Sequence, residues 1–239
     1  MNKTFYAVAS FIALALPRYT HAQQPPPDTT ALAGAWVARP PTTATADRLL
    51  SGTEYLEYTP NNTIGNQFYL GATAQPGNVY YDGRYFVKVP LLYDLKLDQL
   101  ILADTVRRVK LRLITERVAF FVLDGRRFVR LGADSATGLP AGFYQQLLAG
   151  RTQLLVRRSK RVAEEIEQQH LKFVYKENAR LLLKKDGRLT EINKLKTLLD
   201  ALADRKPELQ KFARSQQLKF SPAAREASAV QLVSYYNTL

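Results

Sequence analysis

The chain of 239 residues contains no cysteine. This absence excludes disulfide bridges, thiol nucleophiles, cysteine-ligated zinc, iron–sulfur clusters and a lipid anchor attached through cysteine. Histidine is almost as scarce, with His21 and His170 as the two copies. A two-histidine metal site is excluded if His21 leaves with a signal sequence, and a Ser-His-Asp site would then have to use His170. We therefore expect no metal and no cofactor.

The sequence also lacks an uninterrupted apolar run of the roughly 20 residues that a membrane-spanning helix needs. An apolar stretch of about a dozen residues, Phe5 to Leu16, follows Lys3 and precedes Thr20-His21-Ala22. A short basic start, an apolar centre and a small-residue ending are typical of a cleaved secretory signal, and an N-terminal anchor is the alternative. We predict a signal peptide over residues 1–22, cleavage near Ala22, and a periplasmic or secreted protein with no transmembrane segment.

Residues 23–50 are rich in Pro, Thr and Ala, which is typical of a linker or an irregular lead-in. From residue 51 to about 192, short apolar runs rich in Tyr, Phe, Val and Leu are separated by turn residues, as in antiparallel strands. The candidate strands are residues 54–58, 67–70, 78–81, 84–89, 92–97, 99–103, 107–115, 118–123, 127–131, 152–158, 171–175, 179–184 and 188–192. So many strands predict a sandwich or a strongly curved sheet.

Asp-Gly-Arg occurs three times between strand-like runs, at residues 82–84, 124–126 and 186–188. Asp-Gly suits the positive φ angles of a two-residue type I′ hairpin turn. A hairpin turn is the simpler interpretation of each copy, and an anion-binding rim of three arginines is the alternative.

Helical patterns are fewer. We expect a short helix near residues 140–149, because Pro140 suits the first helical position and Phe143, Leu147 and Leu148 form an apolar stripe. Residues 161–169 fit a helix or a loop. Residues 193–239 change to helical periodicity, with Pro207 opening one helix and Ser221-Pro222 opening the last. We treat these helices as part of the same domain, packed on the sheet, with a separate subdomain as the alternative.

Carboxylates are scarce relative to cations, with 21 Asp and Glu against 34 Lys and Arg. The excess is uneven, because residues 151–220 hold 18 cations and 9 carboxylates, whereas residues 23–150 hold 13 and 11. Such a surface suits an anionic partner, a lipid headgroup or an acidic glycan of the cell envelope, although a solvated basic face is the simpler interpretation. The candidate anion-binding residues are Arg157, Arg158, Lys160, Arg161, Lys184, Lys185 and Arg188.

Cations also alternate with apolar residues in residues 106–115, and Arg126, Arg127 and Arg130 follow. This strand pattern indicates either a solvated sheet face or a platform for an acidic partner.

The catalytic and nucleic-acid motifs that we considered are absent. There is no Walker loop, GxSxG, GxGxxG or SxxK. The carboxylate pairs Glu54 with Glu57 and Asp94 with Asp98 leave a carboxylate-dependent hydrolase acting on glycans as an alternative function. Nucleic acid is disfavoured, because no RNP, zinc-finger or helix-turn-helix pattern occurs and the expected compartment is wrong.

The chain resembles a family of secreted proteins frequent in Bacteroidota, for which no catalytic residue is established. The resemblance rests on residues 77–83 (GNVYYDG), residues 91–94 (LLYD), Leu209, residues 218–220 (LKF) and residues 232–237 (LVSYYN). It covers residues 51–239 and implies a Gram-negative envelope and a fold that combines the strands with the C-terminal helices.

Taken together, the sequence predicts an α+β protein, a mainly antiparallel sheet with C-terminal helices packed on it. We expect a non-enzymatic binding or interaction module of the cell envelope. Its partner would be an anionic surface or an envelope protein docking through the helices.

Overall fold

The computed structural model describes residues 49–104, 108–135, 137–167 and 170–239. The expected signal peptide and all but two residues of the lead-in lie outside this part of the chain. Within it, twelve strands form one sheet and three α-helices follow. The strands are Thr53–Glu54 (β1), Thr63–Ile64 (β2), Gln75–Tyr81 (β3), Arg84–Asp94 (β4), Gln99–Asp104 (β5), Val109–Arg112 (β6), Val118–Leu123 (β7), Arg126–Leu131 (β8), Gly142–Leu148 (β9), Gln153–Glu167 (β10), His170–Lys185 (β11) and Arg188–Glu191 (β12). The helices are Leu195–Ala201 (α1), Lys206–Ser215 (α2) and Arg225–Tyr236 (α3).

The strands follow the order β1-β6-β5-β4-β3-β7-β8-β9-β10-β11-β12, and every neighbouring pair in this order is antiparallel. The two-residue strand β2 adds to β11 in the parallel direction. This architecture confirms the α+β fold with a mainly antiparallel sheet.

The three Asp-Gly-Arg segments form tight hairpin turns, as the sequence predicts. They connect β3 to β4, β7 to β8, and β11 to β12. Each turn has positive φ at both central residues: Asp82 (50°), Gly83 (75°), Asp124 (52°), Gly125 (68°), Asp186 (49°) and Gly187 (77°). The arginine then begins the returning strand, and the three turns lie at three separate strand connections.

Several strands are longer than the sequence predicts. The candidate 84–89 and residues 92–94 of the candidate 92–97 belong to the single strand β4, and residues 95–97 form the turn that follows it. Lys88 adopts a φ of 52° near the register shift in the pairing of β4 with β3. The candidates 171–175 and 179–184 are likewise one strand, β11. Pairing with a neighbour carries these strands through polar residues that show no strand preference of their own.

Two predictions are wrong: the helix at residues 140–149, and the helix or loop at residues 161–169 over its described part, residues 161–167. The segment at residues 140–149 contains strand β9, and residues 161–167 continue strand β10. In β9, Phe143 packs in the cluster formed by β3–β8, whereas Tyr144 packs in a cluster on the opposite side of the sheet. Because β9 is apolar on both sides, its sequence lacks the alternation that identifies a strand.

The two sides of the sheet carry different apolar clusters. On the inner side, one cluster lies between β3–β8 and includes Tyr93, Phe121 and Phe128, and a second joins β10 and β11 to the three helices. On the outer side, Tyr144, Leu155 and Leu182 form a smaller cluster. The two inner clusters face the same side of the sheet, because Gln145 of β9 lies opposite Phe128 of the first cluster and also opposite Val156 of the second.

The helices pack on the inner side at the end of the sheet. Leu154 and Leu183 of the strands share a buried cluster with Leu198, Leu209 and Leu232 of the three helices. The last helix begins at Arg225 and not at Ser221-Pro222. Ser221 forms a turn before it, in which its carbonyl accepts hydrogen bonds from the amides of Ala224 and Arg225.

The sheet curls so that the end of β4 reaches β10, five strands away in the order. The amide of Lys160 on β10 donates a hydrogen bond to the carbonyl of Leu95 at 3.1 Å. This contact brings the turn between β4 and β5 against the hairpin formed by β10 and β11, where most of the predicted anion-binding residues lie.

Candidate anion-binding face of the sheet

The densest run of cations in the sequence is divided between the two sides of the sheet. Successive residues of a strand point to opposite sides, and Val156 of β10 faces the helices. Arg158 and Lys160 therefore lie on the inner side, and Arg157 and Arg161 on the outer side. The seven predicted residues do not form one surface.

Arg158 is an internal contact residue. Its Nε donates to Gln145 Oε1 at 2.6 Å, and its Nη2 donates to Glu226 Oε2 of α3 at 2.7 Å. Glu177 lies at 3.6 Å, and only 14% of the side chain is exposed. Arg158 thus connects the sheet to the last helix.

Lys160 is also used within the fold. Its Nζ donates to the backbone carbonyls of Phe68 at 2.6 Å and Asn66 at 3.1 Å. Together with its amide bond to Leu95, this side chain fixes the segment around Phe68 and the β4–β5 turn to β10. It has little capacity left for a ligand.

Arg157, on the outer side, forms a partly buried polar cluster with Asp98. Its Nη2 lies 3.3 Å from Asp98 Oδ2, and its guanidinium lies over the Tyr144 ring at 5.3 Å. Asp98 also accepts hydrogen bonds from the Tyr93 hydroxyl at 2.6 Å and from the Phe143 amide. Burial, reinforced by the Asp98 carboxylate, raises the pKa of Tyr93 well above its ordinary value.

The outer side of the β10–β11 hairpin places cations directly opposite cations. Arg157 lies opposite Arg180, and Arg161 lies opposite Lys176. Ser159 and Asn178 lie opposite each other between these two pairs. We call these six residues the cation ladder: Arg157, Ser159, Arg161, Lys176, Asn178 and Arg180.

Carboxylates compensate only part of the ladder. Arg180 binds Glu191 through Nη2 at 2.5 Å, a hydrogen bond that raises the pKa of this arginine. Lys176 forms an ion pair with Glu165. Arg161 is exposed and has no ion pair or hydrogen-bonding side-chain partner within the described part of the chain. The pair Arg161–Lys176 therefore has one carboxylate for two cations.

The remaining predicted residues lie at the β11–β12 turn. Lys185 Nζ donates to Asp204 Oδ1 at 2.6 Å, and the Tyr236 hydroxyl donates to Asp204 Oδ2 at 2.7 Å. Burial would lower the pKa of Lys185, but the hydrogen bonds to Asp204 and Tyr236 outweigh it, so the pKa is raised. The same contacts lower the pKa of Asp204, the bond from Lys185 most strongly.

Arg188 borders an open cavity of about 460 Å³ beside this turn, whose wall also carries Asp186 and Asp200. Lys184 is on the outer side, opposite Leu189 and separated from Arg180 by Leu182. Lys185 also lines the cavity, so its two cations are balanced by two carboxylates and it is a weaker anion site than the ladder.

Sequence reasoning missed four ladder residues, Ser159, Lys176, Asn178 and Arg180. The signal was present in the polar alternation of residues 172–180, but it becomes visible only when β10 and β11 are paired along their whole length. The prediction ended the first strand at residue 158 and interrupted the second between residues 175 and 179.

Three of the four carboxylates considered for hydrolysis have structural partners, and the fourth, Glu54, is exposed. Asp94 is buried and accepts hydrogen bonds from the Tyr55 hydroxyl at 2.7 Å and from the amides of Lys96 and Leu97. Asp98 is held by Tyr93 and Arg157, and Glu57 pairs with Lys110 at 2.8 Å. These contacts give the three carboxylates roles in the fold.

The described residues lack two further features. They contain no cluster of three or more acidic or histidine side chains placed to hold a metal ion. Nor do they contain a helix with the length and apolar character needed to cross a membrane.

Comparisons with models of protein families, with curated proteins and with solved structures find no match to this chain. The function is therefore argued from the geometry.

Proposed function

We propose that the protein is a non-enzymatic binding module of the cell envelope that docks on an anionic component through the cation ladder. The observation that carries this proposal is the register of β10 and β11, which sets Arg157 against Arg180 and Arg161 against Lys176. Like charges directly opposite each other destabilise a strand pair, whereas opposite charges stabilise it. Asp98 and Glu191 compensate the first pair. The repulsion that an anionic ligand would relieve therefore lies between Arg161 and Lys176, which share the single carboxylate of Glu165.

The ladder has a form that suits repeated anionic groups. Its two cationic pairs are four residues apart along each strand, about 14 Å at the usual rise of an extended chain. Ser159 and Asn178 supply hydroxyl and amide hydrogen-bonding groups between them. Guanidinium groups bind carboxylate and phosphate oxygens with two parallel hydrogen bonds. Lipid headgroups and acidic glycans both present such groups.

The expected compartment agrees with such ligands. The signal-like pattern at residues 1–22 would deliver the chain to the envelope, where phospholipid headgroups and acidic glycans are exposed. If the protein is made in a Gram-negative bacterium, we expect the mature form to begin near Gln23 and to appear outside the cytoplasm. Sequencing of the N-terminus tests this, and an intact Met1 in the cytoplasm would contradict it.

Arg161→Glu separates binding from folding. The new carboxylate would lie opposite Lys176, so it replaces a repulsive pair with an attractive one worth about 0.2 to 1 kcal/mol. We expect the melting temperature to stay the same or rise while binding weakens. Reversal of Arg157, Arg158 and Lys160 as well would break contacts inside the fold and would not make this separation.

The matched control is Arg214→Glu, which makes the same change of charge at an exposed position of α2. The probes are vesicles containing phosphatidylglycerol and soluble polygalacturonate, at about 50 mM salt, where screening is weak. We expect the wild type and Arg214→Glu to bind at least one probe, and Arg161→Glu to bind it at least tenfold more weakly. Equal binding by the two variants, or no binding of either probe by the wild type, would refute the ladder as the docking site.

A further inference from the structure

Arg127 is a second partly buried cation on the outer side of the sheet, well separated in sequence from the ladder. It lies on β8 opposite Val122 of β7, and Val122 lies opposite Asn78 of β3. Its guanidinium carbon lies 3.8 Å from the centre of the Phe120 ring. Arg127 Nε is buried and has no hydrogen-bond partner within the described residues.

Phe120, which Arg127 contacts, belongs to a group of three aromatic rings on the neighbouring strands. The rings of Tyr80 and Phe120 are stacked, with centroids 5.5 Å apart and planes at 13°. The Tyr85 ring lies 5.9 Å from Phe120, and 39% of Tyr85 is exposed. Tyr85 and Tyr80 are directly opposite each other on β4 and β3. We call the three rings the aromatic platform: Phe120 is its buried base, and the half-buried Tyr80 and the exposed Tyr85 are its accessible part, with Arg127 at the edge.

Among the described residues, no carboxylate forms an ion pair with Arg127. The strands β3, β4, β7 and β8 contain a single acidic residue, Asp94, at the far end of β4, and its carboxylate is bonded to Tyr55 and to the amides of the following turn. Burial accordingly lowers the pKa of Arg127, with only a small opposing effect from Tyr85. A charge that is removed from water without a counter-ion weakens a fold, so its retention needs another explanation.

The two other arginines of β8 have polar contacts. Arg126 and Arg130 point to the inner side, where Arg126 donates to the Tyr69 hydroxyl and Arg130 lies 3.9 Å from Glu116. Arg126 thus has a hydrogen-bond partner and Arg130 a nearby carboxylate, although Arg130 Nε, like Arg127 Nε, is buried without a hydrogen-bond partner among the described residues. The sequence alone does not distinguish these three arginines, but their contacts in the folded protein differ.

We infer that Arg127 and the aromatic platform bind a sugar ring that carries a carboxylate, as in a uronic acid unit of an acidic glycan. The inference rests on the proposed function in taking the envelope ligand to be an anion, and it selects the glycan over the lipid headgroup. Arginine holds a carboxylate through two parallel hydrogen bonds. Exposed tyrosine rings provide a flat apolar wall with a polar edge, on which the C–H face of a sugar ring can lie.

The aromatic platform and the ladder are on the same side of the sheet. Phe120 of β7 lies opposite Val129 of β8, and Val129 lies opposite Tyr144 of β9. The Arg157 guanidinium covers the ring of that same Tyr144. The platform and the ladder therefore face the same side of the sheet, on either side of the buried Tyr144 of β9.

A short acidic oligosaccharide tests this site apart from the ladder. The probe is trigalacturonate, with the uncharged trisaccharide maltotriose as the comparison, measured by isothermal titration calorimetry at about 50 mM salt. The variant is Arg127→Met, which keeps an unbranched chain on Phe120 but removes the charge. Its control is Arg214→Met, which removes an exposed cation on α2.

We expect the wild type and Arg214→Met to bind trigalacturonate, maltotriose to bind at least tenfold more weakly, and Arg127→Met to lose at least tenfold in affinity. The melting temperature of Arg127→Met should equal or exceed that of the wild type, because an uncompensated charge has been removed. If its binding equals that of the wild type, or if maltotriose binds equally well, the inference is wrong.

The results that would refute the glycan site differ from those that would refute the ladder as the docking site. A wild-type protein that binds phosphatidylglycerol vesicles through Arg161 but shows no heat with trigalacturonate at millimolar concentration would refute the glycan site and leave the proposed function in place. Trigalacturonate binding that needs Arg127, in a protein whose Arg161→Glu variant behaves as wild type towards every polyanion, would establish the site and refute the ladder.

Discussion

Arg157 of β10 and Arg180 of β11 lie directly opposite each other, and each guanidinium is held by a carboxylate from another element. Asp98 of the β4–β5 turn lies 3.3 Å from Arg157, and Glu191 of β12 lies 2.5 Å from Arg180. Four residues further along β10 the same arrangement recurs at Arg161 and Lys176 with only one carboxylate, Glu165. The outer side of the hairpin is therefore balanced at its base and cationic beyond it.

Loss of the Asp98 carboxylate should destabilise the fold strongly. Asp98→Ala leaves the largely buried Arg157 guanidinium without its counter-ion and the Tyr93 hydroxyl without its acceptor. We expect a loss of about 3 kcal/mol in the free energy of unfolding, measured by urea denaturation. The control Glu208→Ala removes a surface pair with Arg205 and should cost less than about 0.5 kcal/mol. If Asp98→Ala and Glu208→Ala reduce the free energy of unfolding equally, the Asp98 contacts stabilise the fold no more than a surface ion pair does.

Gly142 should be intolerant of a side chain because of the same contacts. It has a φ of 150°, and a methyl group there would collide with Asp98 Oδ2 and Arg157 Nη1. Gly142→Ala should therefore cost about 2 to 4 kcal/mol, whereas Gly132→Ala, where a Cβ meets nothing within 4 Å, should be close to neutral.

The effects of Asp98→Ala and Gly142→Ala on the free energy of unfolding should not be additive. In the Asp98→Ala background one of the colliding side chains is gone, so Gly142→Ala should cost at least about 0.5 kcal/mol less than in the wild type. Full additivity in the double variant would contradict the contact that the structure shows between these residues.

The free energy of unfolding should decrease as the pH is lowered, in part because Asp204 becomes protonated. Its pKa in the folded state is lowered by Lys185 and Tyr236, so the stabilisation is complete above the ordinary value of 3.8 and is lost as the pH falls through the folded value. Asp204→Asn should reduce the free energy of unfolding at pH 7 by up to about 1 kcal/mol, since half of the carboxylate side chain is exposed.

The variant should also lose less stability than the wild type between about pH 5 and pH 2. Urea denaturation at a series of pH values checks this, with Glu208→Gln as a control for a surface carboxylate. Parallel pH profiles of Asp204→Asn and the wild type would contradict the assigned shift.

Local features of the fold could be predicted from the sequence because they depend on neighbouring residues. Asp82-Gly83 and its two repeats specify hairpin turns through their own φ preferences, and Leu209 belongs to an apolar stripe with helical spacing. Residues 140–149 gave the wrong result because the stripe of Phe143, Leu147 and Leu148 fits a helix as well as a strand that is buried on both sides. The segment forms a strand because it pairs with β8 on one edge and with β10 on the other.

The candidate site depended on pairing that the sequence alone does not reveal. Four adjacent cations suggested one patch, but Arg158 and Lys160 face the inner side and bind Glu226 and backbone carbonyls. The partners of Arg157 and Arg161 on β11 follow from a hairpin with residues 168 and 169 between its strands. Likewise, nothing in the sequence distinguishes Arg127 from Arg126 until the side of the sheet is known.

The most direct test of the cation ladder compares two variants of equal net charge on an immobilised polyanion. Arg161→Glu and Arg214→Glu are loaded on a heparin column and eluted with salt from about 50 to 500 mM, over which the Debye length shrinks about threefold. If the ladder is the docking site, Arg161→Glu elutes at clearly lower salt than Arg214→Glu, which stays close to the wild type. If the two variants elute together, binding follows net charge alone and the ladder is not the docking site.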